Sequence, residues 1–571
     1  MKQVYILITL FLIQFQCVAQ EGKINSLNAQ QTKTVDSLTS HWDKNMMPGG
    51  AIAIIHNGKI VYQSTLGLAN TALGKKNTAQ TPFLLAQISD NFVAYAMLDL
   101  INRKKLSLDS KLHNFLPYTT HLGKQITLRN LLEKSSGLHD FEVLRNIASW
   151  SDSSPFSISD VEQLISRQQN LNIEPGREFS DSRTNMVLLS EVIAKVSGIS
   201  FSEYMEQFIF KPLGMKNSFV LSHSNQSQNN LAKSYRISEE GEAILIPSKK
   251  ETYASINIAA SIEDMVLWEM NLKLPSEKSK PIVHLFHTYV KLKNGKEYNI
   301  PMGKLMYGQK YVHKERGIET AMVTGGIDGY ASAIFNFPSE EFTVITLSNN
   351  GESYNGYIGM LSAHSIIEDS FLEPATIDFS TIKTIKLNPN YCKKYEGLYW
   401  DAAGEISREI KIVNDTLRYI RSNGSTSAFI PLSNNKFQRK TDFDDKMFLI
   451  FKEQNGQISM QYLIGEATPF DFVKYNQKKI SKEELSQTYS GIYYSKTLGI
   501  GYEINEKKGK LVASNIKSED ITFQPIMDEL FAGDKWFLGS IEFNKDTNDN
   551  VKGFYVKNDA IRNLWFQKLD K

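Results

Sequence analysis

The stretch Thr81–Leu100, TPFLLAQISDNFVAYAMLDL, decides the fold. From Phe92 to Ile101 apolar side chains stand on nearly every face of a helix, and Asp99 is the only charge. A helix of that kind offers no face to water, so it belongs at the centre of a domain. Whatever residue stands at its N-terminus meets free backbone N–H groups and the positive end of the helix dipole. That is a favourable place for an oxygen gaining negative charge.

Outward from this helix the chain carries two hairpin signatures. Ala51–Ile55 and Lys59–Gln63 are β-rich runs joined through Asn57-Gly58, the dipeptide that most readily takes the positive φ angles of a tight hairpin. Ser332–Phe337 and Phe342–Ser348 flank Pro338-Ser339-Glu340-Glu341, a type I turn candidate. Between them lie helical patterns at Thr127–Glu133, Met186–Val196 and Phe201–Phe210. Strands at both ends that enclose helices predict an α+β domain, placed at residues 30–375. Beyond it short β-type runs take over and repeat. Tyr395-Glu396-Gly397-Leu398-Tyr399 matches Tyr489-Ser490-Gly491-Ile492-Tyr493. Pro431 and Pro525, Phe437 and Phe531, and Phe472 and Phe566 share the same 94-residue spacing. This predicts two small antiparallel β-barrels or β-sandwiches, at 386–476 and 480–571, with aromatic cores.

Composition narrows the function classes. With 571 residues, 41% hydrophobic and 22% charged, the chain has globular composition and length for roughly three or four domains. Its 64 Lys and Arg against 62 Asp and Glu leave no excess of positive charge to neutralise phosphates, so a nucleic-acid partner is not expected. Lys2, the apolar run Val4–Ile13 and Cys17-Val18-Ala19 read as a secretory signal at 1–19, cut after Ala19. Gln14 and Gln16 interrupt the run before it reaches membrane-spanning length, so no stable transmembrane segment is expected after cleavage. Gln14, Phe15 and Gln16 are bulky for lipoprotein processing at Cys17. The expected location is exported, periplasmic or secreted. Removal of Cys17 leaves Cys392 as the sole thiol and forbids an internal disulfide. His284 and His287 share helical spacing but have no Cys, Asp or Glu nearby, so no metal site is expected, and no cofactor motif is read.

The 81–100 stretch also resembles the segment of class C β-lactamases, D,D-peptidases and related esterases in which Ser-x-x-Lys opens the central helix. Further matches follow in that family's order: Ile126–Leu132 leading to Ser136-Gly137-Leu138, PGREFSDSRTNMVLLS from Pro175, Lys211–Met215, then Val323-Thr324-Gly325-Gly326 with Gly329-Tyr330, and Leu347-Ser348-Asn349. Together they cover roughly residues 35 to 370 and imply a β-lactamase/transpeptidase-like domain. The C-terminal repeats resemble the lipocalin-like modules that often follow it.

In that family a serine accepts the acyl group, a lysine helps remove its proton, Tyr-x-Asn handles protons and a substrate amide, and a Lys/His-x-Gly strand grips the substrate. Matched residue by residue, this chain has Gln87 for the serine, Asp90 for the lysine, Asp181 for the tyrosine, Arg183 for the asparagine and Val323 for the Lys/His. A carboxamide holds its nitrogen lone pair in resonance and is no acyl acceptor. Losing the nucleophile of a comparable hydrolase lowers kcat by about 10⁶-fold. Backbone donors near Gln87 and along Thr324-Gly325 remain able to hold a carbonyl oxygen.

Among alternative hydroxyls, Ser89 is expected to point away from the cleft and to cap the helix with Asp90. Ser135 and Ser136 have no Lys or His at a readable spacing. Asp90 or Asp181 is expected to pair with Arg183, so that a carboxylate–guanidinium network plugs the cleft or recognises a different ligand. The signal segment, the resemblance and the replaced side chains together predict an exported, non-catalytic relative of serine hydrolases that acts by binding or regulation, on an unknown small molecule, peptide or envelope component. Two rival readings are an active hydrolase using an unconventional nucleophile or a water activated by Asp90 or Asp181, and a binding module working through the C-terminal repeats.

Overall fold

Asn57 and Gly58 both take positive φ, 52° and 71°, and turn Gly50–His56 (β1) back as Lys59–Leu66 (β2). This comes from a computed structural model that describes residues 24–569 except 45, 151–156, 222–229, 248–257, 298–299, 301–302, 352, 375–377, 379, 387–388, 405, 415, 422–423, 442–445, 466–468, 517 and 559. The signal segment and Cys17 lie outside the described residues. The second signature forms as expected, with Ile318–Ile327 (β3), Tyr330–Phe337 (β4) and Phe342–Ser348 (β5) as a meander. β5 pairs antiparallel with β1 from Phe342↔His56 to Ser348↔Gly50, which closes the two ends of the domain into one eight-stranded sheet.

Alternation along β1 feeds two cores. Ile52 and Ile54 pack with Val35, Trp42, Val344 and Ile358, beneath the helices Ala29–Thr39 and Asn355–Ile366. Ala51, Ala53 and Ile55 face the helical layer around the central helix Ser89–Asn102, in which every residue from Ser89 to Leu100 is buried. Phe92 stacks on Trp268 with centroids 4.1 Å apart. Asp99 is tolerated in this helix because it accepts from Tyr204 Oη at 2.7 Å and from Arg103 Nε at 3.0 Å. The other predicted helices appear as Leu128–Leu132, started by a Thr127–Asn130 capping box, Arg183–Ser197, and Phe201–Met205 running into a π turn at Glu206–Phe210.

The repeats are two closed eight-stranded antiparallel barrels, whose strands run from Gly397 to Tyr475 and from Gly491 to Lys568. The 94-residue period has a physical basis. In each barrel a tyrosine hydroxyl donates back to the carbonyl four residues earlier, Tyr399 to Tyr395 at 2.8 Å and Tyr493 to Tyr489 at 2.6 Å. A last-strand lysine crosses the first strand to cap a carbonyl, Lys474 on Lys394 at 2.7 Å and Lys568 on Thr488 at 2.9 Å. The glycines leave room for it: a Cβ on Gly397 or Gly491 would lie 2.9 or 2.8 Å from the crossing lysine's Cε. Cys392 is buried in the first barrel's core.

The first barrel keeps a core of its own, whereas the second barrel's core is continuous with that of the main domain. Tyr502 Oη donates to Ile147 O at 2.7 Å. Asn172 Nδ2 donates to Ala560 O at 2.7 Å and its Oδ1 accepts from Arg562 N at 2.8 Å. No helix among the described residues is long and apolar enough to cross a membrane. Tyr399→Phe and Tyr493→Phe each remove one buried hydrogen bond at the same point of the repeat. Each substitution is expected to cost about 1 kcal/mol, read as a lower urea midpoint in the near-UV circular dichroism of the intact chain.

Candidate active-site cleft

The N-terminal end of the central helix is fixed by backbone contacts on two sides. Leu85 N donates to Ile258 O at 2.9 Å, and Leu85 O accepts from Ser332 Oγ at 2.9 Å. Ala86 is held at φ 49°, a left-handed conformation that a residue with a Cβ adopts only when its surroundings enforce it. Gly325 on β3 provides the closeness, because a Cβ there would stand 2.4 Å from Leu85 O and 3.1 Å from the Ala86 Cβ. β3 and the helix entrance therefore touch backbone to backbone, and Gln87 projects across the joint. Its Oε1 accepts from Gly326 N at 2.9 Å on the exposed side. Thr324 is exposed and its side chain turns to the other face of the sheet, with Cγ2 3.6 Å from the place of a Cβ on Gly356, while Val323 is buried.

One turn further in, Asp90 is buried and lies 3.6 Å from Lys134 Nζ. Asp181 approaches the same ammonium at 3.1 Å and is 57% exposed, so the pair of carboxylates runs from the interior to the cleft surface. Lys134 follows the Glu133 cap of the short Leu128–Leu132 helix with φ 51° and is itself buried. Burial alone would lower its pKa, but the negative charges around it, Asp181 foremost, outweigh that and hold the ammonium above the usual lysine range. Burial pushes the Asp90 carboxyl up to about 7, against the pull of Lys134. Tyr311 from the neighbouring strand also faces this group, and burial raises its pKa.

Arg183 is placed differently from the sequence expectation. Its guanidinium pairs with Glu142, and its backbone N donates to Asp140 Oδ2 at 2.7 Å. Asp140 Oδ1 in turn accepts from Glu142 N and Val143 N, so the three residues form a helix-start cluster separate from the Asp90 contact. The expected Asp–Arg183 network is thus replaced by Asp90–Lys134–Asp181. The reason is reach. Lys134 enters from the loop before Ser136-Gly137 and meets both carboxylates, whereas Arg183 begins its helix facing Glu142. Sequence reasoning missed Lys134 and Tyr311. The available signal was charge: two acids where the family pattern has a lysine and a tyrosine demand a cation, and Lys134 stands beside a quoted motif.

Ser89 does not cap the helix, since its hydroxyl accepts from Ile258 N at 3.3 Å, deep in the domain and away from the cleft. Ser136 Oγ donates to Asn185 Oδ1 at 2.5 Å and Ser135 is fully buried. His139, two residues past Gly137, is buried, and burial alone lowers its pKa to about 3, so it is neutral. His284 and His287 belong to no group of three or more metal-ligating side chains among the described residues.

With this geometry in place, comparison with known proteins is informative. The Beta-lactamase family pattern matches residues 35–358, more than half of the chain. A D-aminopeptidase of Brucella ovis is 27% identical over 227 residues, 39% of this chain and 42% of that protein. The D-aminopeptidase of Brucella anthropi is 26% identical over 226 residues with the same shares. The chain therefore spans about two-fifths of the length of the curated relatives it matches. Among solved structures, the octameric penicillin-binding protein homologue from Pyrococcus abyssi superposes with a TM-score of 0.52 at 22% identity, over 78% of this chain and 99% of that one. At that identity the likeness is one of fold.

Two outcomes follow from the charge arrangement. Because the folded Asp90 carboxyl titrates near 7, above the unfolded value of about 4, the fold holds a proton that the unfolded chain has lost in between. That stabilisation is whole below the unfolded value and is gone once pH passes the folded one. The urea midpoint is expected to fall between pH 5 and 8, and to fall less in Asp90→Asn. Part of the slope stays with Glu133 and Glu191, which burial also raises to about 7. Lys134→Met leaves a buried carboxylate without its cation. It is expected to cost about 3 kcal/mol, the low end for broken buried pairs because Asp181 is half in water, with part regained in Asp90→Asn/Lys134→Met.

Proposed function

Since this chain belongs to the Beta-lactamase family, we propose that it uses that family's cleft to bind a carbonyl-bearing ligand without forming an acyl-enzyme. The observation that carries this reading is the hydrogen bond from Gly326 N to Gln87 Oε1 at 2.9 Å. The chain's own carboxamide lies at the helix entrance where the resemblance puts the acyl-accepting hydroxyl, and it occupies a β3 donor suited to a substrate oxygen. The nitrogen lone pair of that amide is held in resonance, so Gln87 is no acyl acceptor. The ammonium of Lys134, held between Asp90 and Asp181, is committed to two carboxylates and supplies no neutral amine to take a proton. Val323, in place of the substrate-gripping cation, is buried and apolar.

The Gln87 bond is exposed, so its net worth is about 1 kcal/mol, and a ligand carbonyl competes for Gly326 N on nearly equal terms. The similarity to D-aminopeptidases makes a peptide the first class of ligand to consider. The residues proposed to meet it are Gln87, Thr324, Gly325 and Asp181, with Asp90 and Arg183 behind them. The amino-terminal sequence supports action outside the cytoplasm.

One observation favours an alternative. Asp90 and Asp181 converge on one ammonium, 3.6 and 3.1 Å from Lys134 Nζ, and burial raises the Asp90 carboxyl to about 7, an arrangement that fits hydrolysis by an activated water. Incubation of the purified chain with a fluorescent penicillin, a fluorophosphonate and chromogenic esters separates the readings. Binding without catalysis predicts neither covalent labelling nor turnover. Stoichiometric labelling would falsify the proposal, and ester turnover without labelling, lost in Asp90→Asn, would replace it with the carboxylate mechanism.

A further inference from the structure

We propose that a second site, independent of the cleft, lies between the main domain and the second barrel and binds a neutral oligosaccharide. A cavity of about 590 Å³ opens there between residues 121–125 and 169–175 on one side and the outer face of the strands Val551–Asn558 and Ile561–Lys568 on the other. That volume is in the range of small-molecule sites.

Both walls are fixed before any ligand arrives. Asn563 Nδ2 donates to Leu171 O at 2.8 Å, and Asn172 is tied at both ends of its carboxamide to the Ala560–Arg562 turn. On the domain side, Asn172 N donates to Gly137 O at 2.7 Å and Gln168 Nε2 to Asn170 O at 2.7 Å. A wall so braced spares the ordering entropy that a loose loop would lose on binding.

The lining selects the ligand class. Gln125, Gln169, Asn170 and Asn563 line it with four carboxamides; the nitrogens of Gln169 and Asn563 each give one hydrogen to a backbone carbonyl, Arg167 O and Leu171 O, and the remaining donors and acceptors match hydroxyl groups, which both give and accept. Among the described residues no lysine or arginine lines the cavity; its one imidazole, His121, has Nε2 3.1 Å from Gln169 O, and its one carboxylate, Glu174, is paired with Lys293 at 2.9 Å. Apart from that imidazole, phosphates, acids and amines meet no unpaired complementary charge in the lining. Tyr555 adds a flat aromatic wall. Its ring packs on Trp565 across the two strands at 4.6 Å, and Trp565 lies over Gly553, where a Cβ would come within 2.4 Å of the indole. The tyrosine face is thereby held in place. A pyranose offers the same two surfaces, an apolar C–H face for an aromatic ring and an equatorial rim of hydroxyls for amides.

The test is an array of neutral, N-acetylated and acidic oligosaccharides probed with the purified full chain, followed by tryptophan-fluorescence titration of the strongest neutral glycan. Tyr555→Ala and Asn170→Ala are each expected to weaken binding at least tenfold. Asn170 is exposed, so its substitution keeps the fold and decides the matter even if Tyr555→Ala disturbs the barrel. Retention of no glycan, retention of acidic glycans only, or binding that survives Asn170→Ala overturns the proposal. None of these results bears on the cleft, whose readout is covalent labelling.

Discussion

The structure depends on a contact made possible by a missing side chain. Gly325 lets β3 come against the Leu85-Ala86 turn closely enough that a Cβ would strike Leu85 O at 2.4 Å. That approach forces Ala86 into a left-handed conformation and sets the position from which the central helix starts. The strain is sustained by everything around it: the Ile258 and Ser332 bonds to Leu85, and a helix buried along its length that cannot shift without disturbing the core. The side chain at position 87 is aimed at Gly326 N by the scaffold, whatever its chemistry. A hydroxyl there meets the requirements of acyl transfer, and a carboxamide in the same place becomes a tethered stand-in for a substrate carbonyl.

The charges behind this point form a second layer. An aspartate at position 90, on the first turn of a buried helix, is favoured by the helix dipole but opposed by desolvation. Lys134 offsets part of that opposition from across the cleft, and Asp181 shares the ammonium where water reaches it. The arrangement inverts the sign expected of a serine-acylating centre: the carboxyl sits on the helix and the ammonium comes from a loop. Such a buried group gains little stability over apolar packing, and its value lies in fixing one geometry of the loop against the helix.

The sheet, the central helix and the barrels were legible because each rests on periodicity or turn chemistry. Asn57-Gly58 dictates its hairpin, the unbroken apolar surface of Phe92–Ile101 dictates burial, and the 94-residue spacing marks positions where a glycine, a tyrosine and a crossing lysine act together. The pairings around the candidate site were not legible. Gln87, Asp90 and Asp181 gather at the cleft, yet Arg183, next to Asp181 but for one residue, faces Glu142. Lys134, 44 residues from Asp90, makes the contact. Adjacency in sequence carries no information about which way a helix-start side chain turns, and a loop lysine with positive φ has no periodic signature. The capping role expected of Ser89 failed for a related reason. The preceding 3₁₀ turn already satisfies the helix entrance, which frees the hydroxyl for Ile258 N.

The second barrel is joined to the same machinery through the 168–176 loop. Asn172 N is bonded to Gly137 O and Gly176 N to Ser135 O, while Ser180 N is bonded to Lys134 O. These three bonds brace the segment that delivers Lys134 to the cleft. The other side of Asn172 holds the Ala560–Arg562 turn of the barrel. One asparagine thus clamps the barrel to the loop that places the central cation. Displacement of the barrel would have to break that clamp or move the backbone beneath Lys134. The first barrel keeps a core of its own and meets the main domain through an exposed ion pair, Lys446 with Glu373 at 2.8 Å, so the two copies of one repeat are unequal parts. One shares the hydrophobic core of the main domain, and the other touches it at a surface charge pair.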